Sequence, residues 1–155
     1  MLGFLKKEKN EVVAPVKGVC IPIEKVQDPV FSSKMMGDGF AVIPEDDTVV
    51  APVSGEIVML PASRHAFGLR TKAGMEVLVH IGIDTVSLNG EGFTVLASQG
   101  ARVHAGDPVI RIDRSLISGK GFDLTTMVIF TEGYEKQVVL DAFGKTVKAG
   151  EAVLA

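Results

Sequence analysis

The chain has 155 residues, of which 46% are hydrophobic and 23% charged, a balance that suits one ordinary domain with a sizeable core and excludes a disordered chain. Its formal net charge of −3 excludes the broad basic face of a nucleic-acid binder and leaves room for a basic protein partner. The single cysteine, Cys20, excludes an internal disulfide and a thiolate-rich metal site, and no stretch reaches the roughly 20 apolar residues of a bilayer span, so the expected location is cytoplasmic.

The first ten residues, Met1-Leu2-Gly3-Phe4-Leu5-Lys6-Lys7-Glu8-Lys9-Asn10, have no long apolar run behind a charged start, and so do not form a signal peptide. Residues 1–11 read as a flexible, solvated N-terminal arm; a weak amphipathic contact with a membrane surface is the alternative. The Met1 start gives the expectation of a free-standing protein. Residues 12–155 read as the folded domain.

A repeat organises that domain. Val12-Val13-Ala14-Pro15-Val16-Lys17-Gly18 returns as Val49-Val50-Ala51-Pro52-Val53-Ser54-Gly55, identical at six of seven positions. Gly100-Ala101-Arg102-Val103-His104-Ala105-Gly106-Asp107 returns more loosely as Gly144-Lys145-Thr146-Val147-Lys148-Ala149-Gly150-Glu151. Two motifs in two copies each predict a fold of two similar halves. Asp28-Pro29-Val30-Phe31-Ser32-Ser33-Lys34-Met35 predicts a short helical turn with Asp28 as its cap and Pro29 at its first position. Strands are predicted at Val49–Val50, Gly55–Leu60, Phe67–Thr71, Met75–Ile83, Val109–Ile112 and Met127–Phe130, with a second helical turn at Asp113–Ser118. Short β-branched runs punctuated by 17 glycines and seven prolines have the pattern of all-β sandwiches and barrels.

The histidines are the chemical candidates. His80 lies in Glu76-Val77-Leu78-Val79-His80-Ile81-Gly82-Ile83-Asp84-Thr85. Strand alternation puts Val77, Val79, Ile81 and Ile83 on a core face and Leu78, His80, Gly82 and Asp84 on the other, where a partner can reach them. Gly82 removes a side chain beside His80 and leaves room for a bulky group. Four residues of continuous strand put Asp84 about 13 Å from His80, so Asp84 suits an acidic rim better than a triad. Ser63 and His65 share a face in Ser63-Arg64-His65, where the hydroxyl can set the imidazole tautomer. His104 sits in a turn where the repeat has Lys148, and a solvated polar residue suffices there.

The stretches Asp28-Pro29-Val30-Phe31, Gly37-Asp38-Gly39, Val50-Ala51-Pro52-Val53-Ser54-Gly55, His65-Ala66-Phe67, Val79 to Val86 and Gly90-Glu91-Gly92-Phe93 resemble, in order, the glucose-family enzyme IIA of the bacterial sugar phosphotransferase system. The resemblance runs from about Val12 to the end. It implies an internally duplicated antiparallel β-sandwich with barrel-like character. It also implies a phosphoryl carrier: a histidine matching His80 accepts the group from phospho-HPr at its tele nitrogen and passes it to a cysteine of a permease IIB domain. His65 matches the family's phosphate-stabilising histidine. Ser63 stands where the family has a threonine of the active-site network. Asp38 and Asp84 match its two conspicuous aspartates, expected to receive arginines of HPr and of IIB. Phe40, Leu78 and Val86 are candidates for an apolar docking ring. Regulatory protein targets that sense the phosphorylation state are a further family property. Permeases for glucose, N-acetylglucosamine, sucrose, trehalose and β-glucosides all use this kind of domain, and no cofactor is required.

The principal rival is a zinc-dependent hydrolase on a similar β-fold. His65 and His80 would supply two zinc ligands, whereas a catalytic zinc takes about three, and the His-x-His pair of that class is absent. A lipoyl- or biotinyl-type carrier, suggested by Ala-Pro-Val-x-Gly, needs a modifiable lysine beside methionine at a hairpin tip, and Lys34-Met35 falls instead in the predicted helical turn.

Overall fold

Short strands separated by glycine and proline turns carry the chain in the computed structural model, which describes residues 11–154. The arm expected over residues 1–11 therefore lies, apart from Glu11, outside the described residues. The strands are β1 (Val12–Val13), β2 (Gly18–Pro22), β3 (Asp38–Pro44), β4 (Thr48–Val50), β5 (Gly55–Met59), β6 (Ala66–Arg70), β7 (Glu76–Ile81), β8 (Phe93–Val95), β9 (Arg102–Val103), β10 (Pro108–Ile112), β11 (Thr126–Glu132), β12 (Thr146–Val147) and β13 (Ala152–Leu154). Helix α1 (Pro29–Ser32) is capped by Asp28, whose carboxylate accepts from Val30 N at 3.0 Å. Helix α2 (Arg114–Gly119) is capped by Asp113, which accepts from Leu116 N at 3.1 Å. The Asp28 cap is the one predicted from the sequence, and α2 falls where the second helical turn was predicted.

An eight-stranded antiparallel sheet runs in the order β12-β2-β3-β11-β7-β6-β5-β9, accompanied by a three-stranded sheet β4-β10-β8 and the pair β1-β13. No sheet closes on itself, so the architecture is a sandwich. The repeat is realised bond for bond. Val13 N donates to Pro52 O at 2.8 Å, and its counterpart Val50 N donates to Pro15 O at 2.7 Å. Cys20 N bonds Lys145 O and Ile57 N bonds Ala101 O, both at 2.9 Å. His104 N donates to the Asp107 carboxylate and Lys148 N to the Glu151 carboxylate, at 2.8 and 2.9 Å. His104 is thus the exposed turn residue that the repeat implies.

The main core lies inside the sandwich. It takes Phe40 and Val42 from β3, Val128 and Phe130 from β11, and Val77, Val79 and Ile81 from β7. A second, smaller cluster covers the outer face of the same central strands: Ile23, Val26, Phe31, Ala41, Met127 and Ile129, with Leu78 and Ile83 packed against it. Alternation explains the division, since Ala41 points opposite to Phe40, and Met127 opposite to Val128.

Three expectations are corrected here. Phe40, proposed for a docking ring, is 0% exposed. It pairs with Val128 and Pro22 in mid-sheet with its side chain in the main core, so no partner reaches it. The strand predicted to reach Ile83 ends at Ile81, because Gly82 at φ +88° turns the chain. Ile83 therefore joins the outer cluster rather than the core face. The outer face of β7 is also not simply open, for Leu78 is partly buried on that cluster.

Candidate active site

His80 is the penultimate residue of β7, flanked across the sheet by Ala66 of β6 and Met127 of β11. Its Nδ1 lies 2.8 Å from the carbonyl oxygen of Gly82. A carbonyl only accepts, so Nδ1 holds the proton and donates it, and the neutral ring keeps a lone pair on Nε2. The turn that supplies this carbonyl is braced on every side. Gly82 N bonds Thr125 O at 3.0 Å, Ile83 N bonds Asp123 O at 2.9 Å, and the buried Thr85 hydroxyl donates to Ile81 O at 2.6 Å.

Gly82 serves this turn rather than making room beside His80. A Cβ there would meet Thr85 Cγ2 at 2.5 Å and Asp123 O at 3.0 Å, and the positive φ independently disfavours a side chain. The space expected for a bulky group is filled by the turn itself.

His65 comes from the loop before β6, locked to β7 by Ile81 N donating to His65 O at 2.7 Å. The two imidazoles stand edge to face, with centroids 4.8 Å apart at 82°. His65 Nδ1 is 2.8 Å from Ser63 Oγ, as the shared face in the sequence suggests. Phe31 of α1 lies against the other side of His80, with centroids 4.9 Å apart at 51°. Burial, and then the neighbouring His65, push the His80 pKa down from 6.5 to about 4, while the Gly82 carbonyl and the carboxylates of Asp28 and Asp84 oppose this only partly. Burial also lowers the pKa of His65. Both rings are therefore neutral at pH 7.

Asp84 is exposed, at φ +62°, and its charge acts on His80 because the chain has turned after Ile81; the 13 Å estimate applied to a continuing strand. Asp38 behaves otherwise. Its Oδ2 accepts from Val138 N at 2.9 Å, its Oδ1 accepts from Gly39 N at 2.8 Å, and Lys34 Nζ stands 3.6 Å away. It lies two strands and three residues from His80, about 14 Å by sheet spacing. Asp38 is thus an anchor for the 138 segment, and the second carboxylate acting on His80 is Asp28, which sequence reasoning identified only as a helix cap. Phe31 was likewise missed as a site residue. Their signal was the Asp28-Pro29-Val30-Phe31 turn itself, whose packing partner the sequence does not show. Val86 is 53% exposed, and around α1 so are Val30 at 44% and Met36 at 40%; these supply the exposed apolar surface that Phe40 does not.

Among the described residues no group of three or more His, Cys, Asp or Glu side chains is placed to hold a metal, and His65 and His80 remain two ligands without a third. Among the described residues no helix is long and apolar enough to cross a membrane.

A duplicated antiparallel sandwich holds a neutral imidazole with one nitrogen tethered and the other free, beside a second imidazole. The chain belongs to the EIIA 1 family of the phosphoenolpyruvate-dependent sugar phosphotransferase system, whose family model matches residues 10–136. Among its relatives, the glucose-specific EIIA component of Halalkalibacterium halodurans is 41% identical over 99% of this chain and 94% of its own length. The glucose-specific EIICBA component of Streptococcus pneumoniae is 49% identical over 80% of this chain, a match covering 17% of that longer protein. In three dimensions the glucose permease IIA from Mycoplasma capricolum superposes with a TM-score of 0.85 at 40% identity, over 99% of this chain and 97% of that one. The chain is accordingly a phosphotransferase-system component and shares the fold of that IIA protein.

Proposed function

We propose that His80 Nε2 accepts a phosphoryl group from phospho-HPr and passes it to the cysteine of a permease IIB domain, coupling sugar uptake to phosphorylation. The tether of His80 Nδ1 to the Gly82 carbonyl carries this reading, because it leaves Nε2 unprotonated and aimed as a nucleophile. In the first step the Nε2 lone pair attacks phosphorus, the nitrogen–phosphorus bond of the donor breaks, and its electron pair returns to the HPr imidazole. In the second, a IIB thiolate attacks the same phosphorus and Nε2 leaves with its pair. In-line placement and charge stabilisation supply the catalysis.

His65 stabilises the phosphoryl oxygens. With Ser63 Oγ–H donating to its Nδ1, the Nε2–H is the free donor toward the phosphate. The negative charges of Asp28 and Asp84 sit where arginines of HPr and IIB can meet them, and Val30, Met36 and Val86 provide the apolar contact. Such a face suits a transient complex that must release each partner. The same face would let regulatory proteins read the phosphorylation state.

Phosphorylation with phosphoenolpyruvate, enzyme I and HPr, followed by intact mass, tests the scheme. The wild type gains one acid-labile phosphoryl group and His80→Gln gains none. His65→Gln accepts the group but fails to deliver it to a IIB domain. Normal delivery by His65→Gln would remove the role given to His65, and phosphorylation of His80→Gln would remove the carrier.

A further inference from the structure

A cavity lies at the end of β7 away from His80. Its lining includes Met75, five residues from His80 and so about 16 Å away along the strand. The cavity has a volume of about 650 Å³, within the range of small-molecule pockets. Four chain segments build it: Glu11 beside β1, Val53–Gly55 ahead of β5, the β6–β7 turn Thr71–Met75, and Arg102–His104 of β9 and the turn after it. Val53 and Val103 are buried and form an apolar floor with Met75.

The polar groups of this wall are nearly all donors. Lys72 and Arg102 stand exposed at the rim without a carboxylate partner among the described residues, and His104 stands beside them. Thr71 Oγ1 accepts from Met75 N at 3.0 Å, and Ser54 Oγ accepts from Ala105 N at 2.9 Å. Each oxygen is thereby engaged as an acceptor, and each hydroxyl hydrogen lacks a partner among the described residues, so both lining residues keep a donor free. Two cations, two hydroxyl donors and an imidazole exceed what one carboxylate can satisfy and match the oxygens of a phosphate dianion. Glu11, the one carboxylate of the lining, would repel that head and accept hydrogen bonds from hydroxyl groups on the body of the ligand.

We infer that this cavity binds a small phosphate monoester with a hydroxylated body, at a site separate from the phosphoryl-transfer histidines. The inference does not depend on the role proposed for His80.

An NMR titration of the full chain with glycerol 3-phosphate tests it, with inorganic phosphate and glycerol as comparison probes. Saturable amide shifts centred on Thr71–Met75 and Val103–Ala105 are expected, with the imidazole signals of His65 and His80 unmoved. Replacing both rim cations, Lys72→Met with Arg102→Met, should weaken binding at least about tenfold. Lys25→Met, which removes a cation outside the cavity, should leave it unchanged. Inorganic phosphate should bind more weakly and glycerol not at all. Absence of saturation, shifts centred on His80, or an equal loss in Lys25→Met would each overturn the assignment.

Discussion

The low proton affinity of His80 makes stability depend on pH in a calculable way. The unfolded chain binds a proton on this side chain as pH falls through 6.5, whereas the folded chain resists until about 4. A depressed folded pKa on a base means that stability is complete above pH 6.5 and is lost as pH falls toward 4. At about 1.4 kcal/mol per pH unit, the whole window is worth about 3 kcal/mol. Between pH 7 and pH 5 the loss is about 2 kcal/mol. Acidification also titrates other groups, so the informative quantity is a difference. Urea unfolding of wild type and His80→Gln at both pH values should show wild type losing about 2 kcal/mol more than the variant, while any pH-independent cost of the substitution cancels. Equal losses in the two proteins would refute the claim that burial keeps this imidazole neutral.

Two further outcomes follow from the surroundings of that ring. Gly82→Ala places a methyl group 2.5 Å from Thr85 Cγ2 at φ +88°, and should cost about 1–3 kcal/mol in urea unfolding as well as slow phosphoryl acceptance, because the carbonyl that holds Nδ1 shifts. Phe31→Ala should destabilise by about 3–5 kcal/mol and raise the His80 pKa from about 4 toward 6.5, read by NMR titration of the imidazole; Phe31→Leu, which keeps most of the apolar cover, should recover most of both.

Local and repeated features were the legible ones. The duplicated Val-Val-Ala-Pro-Val motif predicted two similar halves, and equivalent residues do make equivalent bonds across the molecule. The period-two alternation of Val77, Val79 and Ile81 put His80 on the correct face, and the cap at Asp28 was visible from residue type alone. What failed depended on distant partners. Ile23, Phe31, Ala41 and Met127 come from four separate segments, and nothing in any one of them reveals that together they cover the outer face of β7. Phe40 looked available for docking, and only the pairing of β3 with β2 and β11 shows it to be enclosed. Asp38 and Asp28 differ in the same way. Val138, a hundred residues away in the chain, claims Asp38, and α1 carries Asp28 to the imidazole.

The reciprocal bonds of the repeat, Val13 to Pro52 and Val50 to Pro15, mean that each half completes the backbone of the other. Neither half has anywhere else to satisfy those amides and carbonyls, so a fragment cut between them would be left with orphaned polar groups and a bisected core. Unlike two beads on a string, the halves must gain or lose order together. The molecule should melt in one transition however alike its two parts look, and its folding must wait for loops of dozens of residues to close before any of these bonds forms.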